Sequence, residues 1–254
     1  MASFPGKITD GVGVYEAKTW NLLRQFLDER IDFDFVVWRG QRRESWNLDS
    51  TLDRLVARSK PKDPNLFAEK HLESFRYACR GRRGPFPKEL SEDEWWSLGQ
   101  HFGLDTPLLD WTASPFVGLF FAFAKPTESP AERRMLFGLK SGLLAERIRE
   151  LQKKGSTQDA FADVRPKTDE NPRLVSQNGL FTKIPIGMEL ESLVRRSFAG
   201  KHSNPILYKI AIPDVERTKI LKALNRMNIN YLSLFPDLFG ASLHCNLRSE
   251  IPKY

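Results

Sequence analysis

The stretch Gln100-His101-Phe102-Gly103-Leu104-Asp105-Thr106-Pro107-Leu108-Leu109-Asp110-Trp111-Thr112-Ala113-Ser114-Pro115 lies between two predicted helices. The helix before it begins at Ser91, because Glu94 three residues later completes a capping box. The helix after it, residues 116–124, is apolar on every side, which predicts burial. A polar connection held between two rigid helices is typical of a functional loop, and we interpret the stretch as one.

Part of this stretch has a purely structural explanation. Thr112 or Ser114 can cap the following helix, and Pro115 suits its first turn. Capping leaves three polar side chains of the stretch without a role, and these are candidate site residues: His101, Thr106 and Asp110.

The sequence allows two alternative roles for Asp110. Its neighbours Leu108, Leu109 and Trp111 favour burial, and a buried carboxylate needs hydrogen-bond partners. Asp110 is therefore either a structural anchor beneath the loop or a catalytic carboxylate, and the apolar neighbours favour the anchor.

A second polar motif follows an apolar stretch near the N-terminus. Residues 33–38 are β-branched and aromatic, which predicts a strand that ends at Arg39-Gly40-Gln41. An Arg at a strand end can direct its guanidinium at a ligand, and Gly lets that ligand approach the backbone. The alternative is a surface Arg before a turn.

Composition and charge describe an ordinary globular chain with a basic balance. The 254 residues are 41% hydrophobic and 28% charged, with a formal net charge of +7. This balance favours anionic partners such as a nucleotide or nucleic acid. The basic residues are scattered apart from Arg80-Gly81-Arg82-Arg83 and Arg195-Arg196, so duplex DNA is not an expected partner.

Neither metal binding nor membrane insertion is predicted. The two cysteines and four histidines are widely spaced and form no metal motif. The N-terminus lacks a signal-peptide pattern, and the longest apolar stretch is too short to span a bilayer. We therefore expect a cytoplasmic protein without membrane contact.

Predicted helices and strands are interspersed along the chain without a regular βαβ repeat. This predicts an α+β fold, with a mixed or antiparallel sheet core surrounded by helices. We expect an N-terminal helical segment (residues 1–32) and a domain (residues 33–254) with a helical insertion at about residues 45–98. Strands are predicted at 135–139, 173–182 and 205–212, the second with a turn at Asn178-Gly179. Helices are predicted at 15–30, 65–80, 141–154 and 215–227, and residues 188–198 form a short helix or a loop.

Four stretches together resemble the FRG domain family. They are Trp38-Arg39-Gly40-Gln41, then residues 100–103 with 108–115 running into 120–122, then residues 173–182 around Gln177, and finally residues 209–213 with 234–240. One departure from the family pattern stands out, because Asp105 replaces a Pro and Pro107 replaces an Arg.

The layout of the FRG motifs looks like that of ADP-ribosyltransferases. The resemblance implies an NAD-consuming activity with four catalytic candidates: Arg39, His101, Asp110 and Gln177. It implies cofactor contacts from Gly40, Gln41, Thr106, Thr112, Ser114 and Phe181. Gln177 is neutral, so Asp110, or else Glu189 or Glu191, must supply a carboxylate.

Three classes of function are open. The first, implied by the resemblance, is an NAD-dependent ADP-ribosyltransferase or NAD glycohydrolase, with NAD as substrate and a macromolecular acceptor not defined by the sequence. Such domains occur as effectors in bacterial defence and toxin settings. The second is a non-enzymatic module that binds a nucleotide or nucleic acid in the same pocket. The third is a regulatory interaction domain that uses the aromatic surface and the loop from Arg80 to Arg83.

Overall fold

One mostly antiparallel sheet forms the centre of the molecule. The computed structural model describes residues 6–29, 36–129, 132–157, 159–165 and 175–254. Within these residues, eight strands form one sheet in the order β1-β2-β8-β5-β3-β4-β7-β6, and only β2 and β8 pair in parallel. The strands are β1 (Gly6–Thr9), β2 (Val12–Glu16), β3 (Val37–Gln41), β4 (Leu108–Thr112), β5 (Arg133–Leu139), β6 (Ala162–Val164), β7 (Gly179–Lys183) and β8 (Leu207–Pro213). The predicted α+β fold with a mixed sheet is confirmed.

Helices cover both faces of this sheet. They are α1 (Trp20–Asp28), α2 (Thr51–Ser59), α3 (Pro64–Ala78), α4 (Glu92–His101), α5 (Pro115–Phe123), α6 (Ser141–Lys153), α7 (Leu190–Ser197), α8 (Arg217–Arg226), α9 (Tyr231–Leu234) and α10 (Leu238–Glu250). No helix in the described ranges is both long and apolar enough to cross a membrane.

Three apolar clusters follow from the strand alternation. On one face, α1, α5 and α8–α10 pack on β2, β8, β5 and β3. The same face continues over β4 and β7, where α2, α3 and α4 form a second cluster. Helices α6 and α7 cover the opposite face. The boundary between the first two clusters therefore lies above the junction of β3 with β4.

Several predicted elements are confirmed by the structure. Ser91 and Glu94 form the capping box of α4, and Ser114 caps α5 with Pro115 in its first turn. Residues 45–98 contain α2, α3 and most of α4, and their assignment as an insertion into the domain stays a prediction. Residues 188–198, predicted as a short helix or loop, contain α7.

Other predictions are wrong in their detail. The N-terminal segment contains β1 and β2 in addition to α1, and α1 begins at Trp20 rather than Tyr15. The stretch 100–115 is not one loop, because Leu108–Thr112 is strand β4. Strand β7 begins at Gly179, after Asn178 with a left-handed φ of 45°. Residues 33–35 and 173–174 of the predicted strands lie outside the described residues.

Candidate functional site

Strands β3 and β4 separate after a single pair of residues. Trp38 lies opposite Thr112, and no further residue pair joins these two strands within the described residues. Strand β3 instead continues along β5, and β4 continues along β7. A cavity of about 350 Å³ opens at this separation.

The cavity is lined by five elements and two loops. Its residues come from β3, β4, β7, the last turn of α4, α5, and the segments before β7 and after α9. They are Trp38, Arg39, Gly40, Gln100, His101, Asp110, Trp111, Thr112, Gly118, Phe121, Gln177, Phe181 and Phe235. Arg39 and Gln177 thus line the same cavity, although they are 138 positions apart in the chain.

Arg39 crosses the gap between the separated strands. Its Nη1 donates to the main-chain carbonyl of Asp110 at 2.8 Å and lies 3.5 Å from Asp110 Oδ2. The side chain is only 19% exposed, and its Nε is buried without a hydrogen-bond partner in the described structure. Burial lowers the pKa of the Arg39 guanidinium, although Asp110 opposes this shift. The cavity therefore contains a desolvated cation with unused donor capacity.

Asp110 projects from β4 into solvent at the cavity mouth. Its side chain is 62% exposed, whereas the flanking Leu109 and Trp111 are buried on the opposite face. The predicted burial of Asp110 is therefore wrong. The physical reason is the pleat, which turns alternate side chains of a strand to opposite faces. A structural anchor beneath a loop does not describe this position.

A hydrogen-bond chain fixes the Asp110 carboxylate. Gln100 Nε2 donates to Asp110 Oδ1, and the Thr106 hydroxyl donates to Gln100 Oε1. Because Thr106 occupies the amide oxygen, the amide nitrogen of Gln100 must face Asp110. With Arg39 near Oδ2, both carboxylate oxygens have a positioned neighbour.

Aromatic rings form much of the cavity wall. Phe121 of α5 and Phe235 stand edge to face with centroids 6.1 Å apart. The buried rings of Trp38, Trp111 and Phe181 belong to the strands. A planar ring of a ligand can pack against such a wall.

His101 and Gln177 also line the cavity. The His101 ring packs edge to face on Phe102 at 4.7 Å. The Gln177 amide donates to the Leu234 carbonyl at 3.1 Å, and its own main-chain carbonyl accepts from the Thr112 hydroxyl at 2.7 Å. Gln177 therefore links the wall segments, and the structure gives its side chain a structural bond.

Gly40 lies in the wall for a reason that the sequence did not indicate. A Cβ at this position would lie 1.9 Å from the Gly118 carbonyl oxygen and 2.6 Å from the Ala122 nitrogen. The absent side chain lets α5 approach β3, so the predicted role of admitting a ligand to the backbone is not needed to explain this glycine.

Three predicted contact residues do not line the cavity. Gln41 is buried and donates to the Asn47 carbonyl. Thr106 is fully buried, where it holds Gln100 and the N-terminal turn of α2 through Thr51. Ser114 caps α5. Direct ligand contact by these three side chains is therefore corrected to structural roles.

Other residues of the site were not predicted. Gln100 was quoted only as part of a motif, although its position beside the candidate His101 could have indicated that it belongs to the site. Phe121 was expected in a buried helix and Phe235 was quoted only as part of a motif, so neither was named as a site residue. Neither Glu189 nor Glu191 lines the cavity, and Glu191 instead binds Arg195 and Lys209.

The two departures from the FRG pattern lie outside this cavity. Asp105 is 3.4 Å from Arg58, and Pro107 is buried at a second cavity of about 430 Å³ formed by α3, α4 and the segments beside β6 and β7. In the ranges that the structure describes, no group of three or more His, Cys, Asp or Glu side chains is arranged to hold a metal ion.

Comparison with known families agrees with the first two of the four motif stretches, which lie within the matched range. The model of the FRG domain family matches residues 34–131. The chain contains an FRG domain. The matched range includes α5 together with β3, α4 and β4, and these last three elements provide Arg39, His101 and Asp110 to the cavity, respectively. No curated protein and no solved structure matches the chain.

Proposed function

We propose that this FRG domain binds NAD in the cavity between β3 and β4 and breaks the bond between nicotinamide and ribose. It would act as an ADP-ribosyltransferase or an NAD glycohydrolase. One observation carries the proposal: the desolvated Arg39 guanidinium and the oriented Asp110 carboxylate lie at the opening of the same cavity. A dinucleotide offers phosphate to the cation and a ribose centre to the carboxylate.

Arg39 supplies the phosphate contact in this proposal. A guanidinium has five N–H donors, and Arg39 uses one on the Asp110 carbonyl. The exposed part of the Arg39 side chain lines the cavity, where its remaining donors can bind a ligand oxygen. Phosphate matches the planar fork of donors better than a neutral acceptor does.

The aromatic walls hold the leaving group. The cavity volume, about 350 Å³, lies at the lower end of the range of roughly 300–1,000 Å³ for ligand sites. It suits the nicotinamide riboside half of NAD, with the nicotinamide ring against Phe121 and Phe235. The adenosine half would extend along the mouth.

Asp110 acts on the reacting centre. When the C1′–N bond breaks, its electron pair neutralises the nicotinamide nitrogen and leaves an oxocarbenium-like ribose. The carboxylate stabilises this positive charge. Water or an acceptor hydroxyl then forms the C1′–O bond and gives its proton to Asp110, from which the proton passes to solvent.

The test measures nicotinamide release from NAD by chromatography. Asp110→Asn keeps an oxygen for Gln100 but removes the charge, so NAD affinity should persist while turnover falls by about 10²–10⁴-fold. Asp28→Asn is the matched control, because Asp28 is also exposed and also pairs with an Arg. Its turnover should equal that of the wild type.

Two outcomes would contradict the proposal. Equal turnover in Asp110→Asn and wild type would remove Asp110 from the chemistry. Tight NAD binding with no nicotinamide release by the wild type would favour a non-enzymatic nucleotide-binding module.

A further inference from the structure

A second surface combines exposed rings with clustered arginines. It lies at the end of α3 and in the loop that leads to α4. Residues 76–88 contain four Arg and one Lys and no acidic residue. In the same segment Tyr77 is 67% exposed and Phe86 is 93% exposed. We call Arg76, Tyr77, Arg80, Arg82, Arg83 and Phe86 the arginine–aromatic patch.

Aromatic rings hold several of these guanidinium groups. Arg80 Cζ lies 3.4 Å from the centroid of the Tyr77 ring. Arg83 and Arg76 lie 4.8 Å and 5.8 Å from the Trp95 ring. Cation–π contacts of this kind orient the arginines at the surface.

The charge of the patch is only partly neutralised. Arg76 pairs with Glu73 at 2.6 Å. Arg80 and Arg82 instead donate to main-chain carbonyls, those of Tyr77, Ala78 and Arg80, and form no ion pair in the described parts of the chain. Their positive charges therefore face solvent without a protein carboxylate.

We propose that the patch binds single-stranded nucleic acid. Proteins bind such strands by combining cations along the phosphate backbone with aromatic rings on which bases stack. The patch presents both components within 11 residues of sequence. An acidic peptide would satisfy the charge but would leave the exposed Phe86 ring without a partner, and a duplex hides its base faces.

The patch is joined to the cavity by a single helix. Trp95 lies in the first half of α4, whereas His101 ends it. Six residues of helix span about 9 Å, so a bound strand would lie within a few nucleotides of the cavity mouth. The inference does not depend on NAD chemistry, because it concerns a surface outside the cavity.

Fluorescence anisotropy with labelled 12-nucleotide oligo(U) and oligo(dT) tests this proposal. The wild type should bind one or both strands, with a log–log salt slope of about −2 for three phosphate contacts. Phe86→Ala removes an exposed ring without touching the core, and one lost base stack should weaken binding by about 5- to 150-fold. The relative affinity for the two strands distinguishes RNA from DNA.

Charge-matched variants complete the design. Arg80→Ala/Arg82→Ala should lower affinity and flatten the salt slope, whereas Arg149→Ala/Arg226→Ala removes two exposed charges elsewhere and should change neither. Melting curves verify folding of each variant.

Three results would overturn the inference. The first is no binding by the wild type. The second is equal affinity of Phe86→Ala and wild type. The third is competition by polyglutamate as strong as that by the unlabelled strand, which would indicate a surface for acidic protein.

Discussion

Replacing Arg39 by Met separates its role in binding from any role in stability. The hydrogen bond from Nη1 to the Asp110 carbonyl stabilises the fold by about 1.5–3 kcal/mol, the range for a charged donor. Burial of the cation with an unpartnered Nε opposes this by about 1–3 kcal/mol. The two effects nearly cancel, and Met fills a similar volume.

We therefore expect Arg39→Met to change the free energy of unfolding by less than about 1 kcal/mol. For a domain of this size, that corresponds to a change in Tm of at most about 2–4 °C. The affinity for NAD, measured by calorimetry, should fall by one to two decades, because a charge-assisted bond of about 1.5–3 kcal/mol is lost.

Arg134→Met is the matched control. Arg134 is fully buried and binds Asp214 and the carbonyls of Ala122 and Lys125. Removing it leaves the Asp214 carboxylate without its cation, although the Thr127 hydroxyl still donates to it, and this costs about 3–5 kcal/mol. Its Tm should fall by about 6–20 °C. If Arg39→Met melts as low as Arg134→Met, Arg39 is a structural residue and the reasoning fails.

Two further predictions concern packing and pH. Gly40→Ala should destabilise the protein by about 3 kcal/mol or more, because its Cβ meets main-chain atoms of α5 that cannot move aside. Gly142→Ala, which has open space at the Cβ, should not destabilise it. Denaturant unfolding measures both variants, and equal unfolding midpoints would refute the close packing. Burial opposes ionisation of Glu191, but hydrogen bonds from Lys209 and Arg195 outweigh it and lower the pKa of this carboxyl. Its stabilising contribution is therefore present above its unfolded pKa of about 4.3 and is lost as the pH falls through the lower folded pKa. Between neutral pH and about pH 3, the wild type should lose more stability than Glu191→Gln, and parallel losses would contradict this assignment.

Local patterns in the sequence predicted much of the fold. The capping box of Ser91 with Glu94 and the cap of α5 at Ser114 depend on neighbouring residues alone, and both are present. Strand β4 was missed because it has only five residues and lies between Pro107 and Pro115. Treating it as loop also led to the wrong expectation that Asp110 is buried.

The cavity itself depends on non-local pairing. Arg39 and Asp110 meet because β3 separates from β4 after one residue pair, which no sequence pattern encodes. The motifs did indicate which residues to examine, and the structure brings Arg39, His101, Asp110 and Gln177 to one mouth. The same motifs did not reveal that Thr106 acts through Gln100, because that contact depends on how α4 docks beside β4.

The position of Gly40 shows a similar limit. The sequence suggested that a glycine after Arg39 admits a ligand, but its nearest would-be contacts belong to α5. Helix packing on a strand is decided by residues about 80 positions apart, Gly40 and Gly118. A local reading cannot separate these two reasons for a glycine.

A crystal structure of Asp110→Asn with NAD tests whether the cavity between β3 and β4 is the NAD site. We expect a guanidinium nitrogen of Arg39 at about 2.7–2.9 Å from an oxygen of the NAD pyrophosphate. We also expect the nicotinamide ring against Phe121 and Phe235, with the side chain at position 110 facing C1′ of the ribose. NAD bound elsewhere, or an Arg39 side chain that contacts only β4 while the cavity stays empty at saturating NAD, would contradict it.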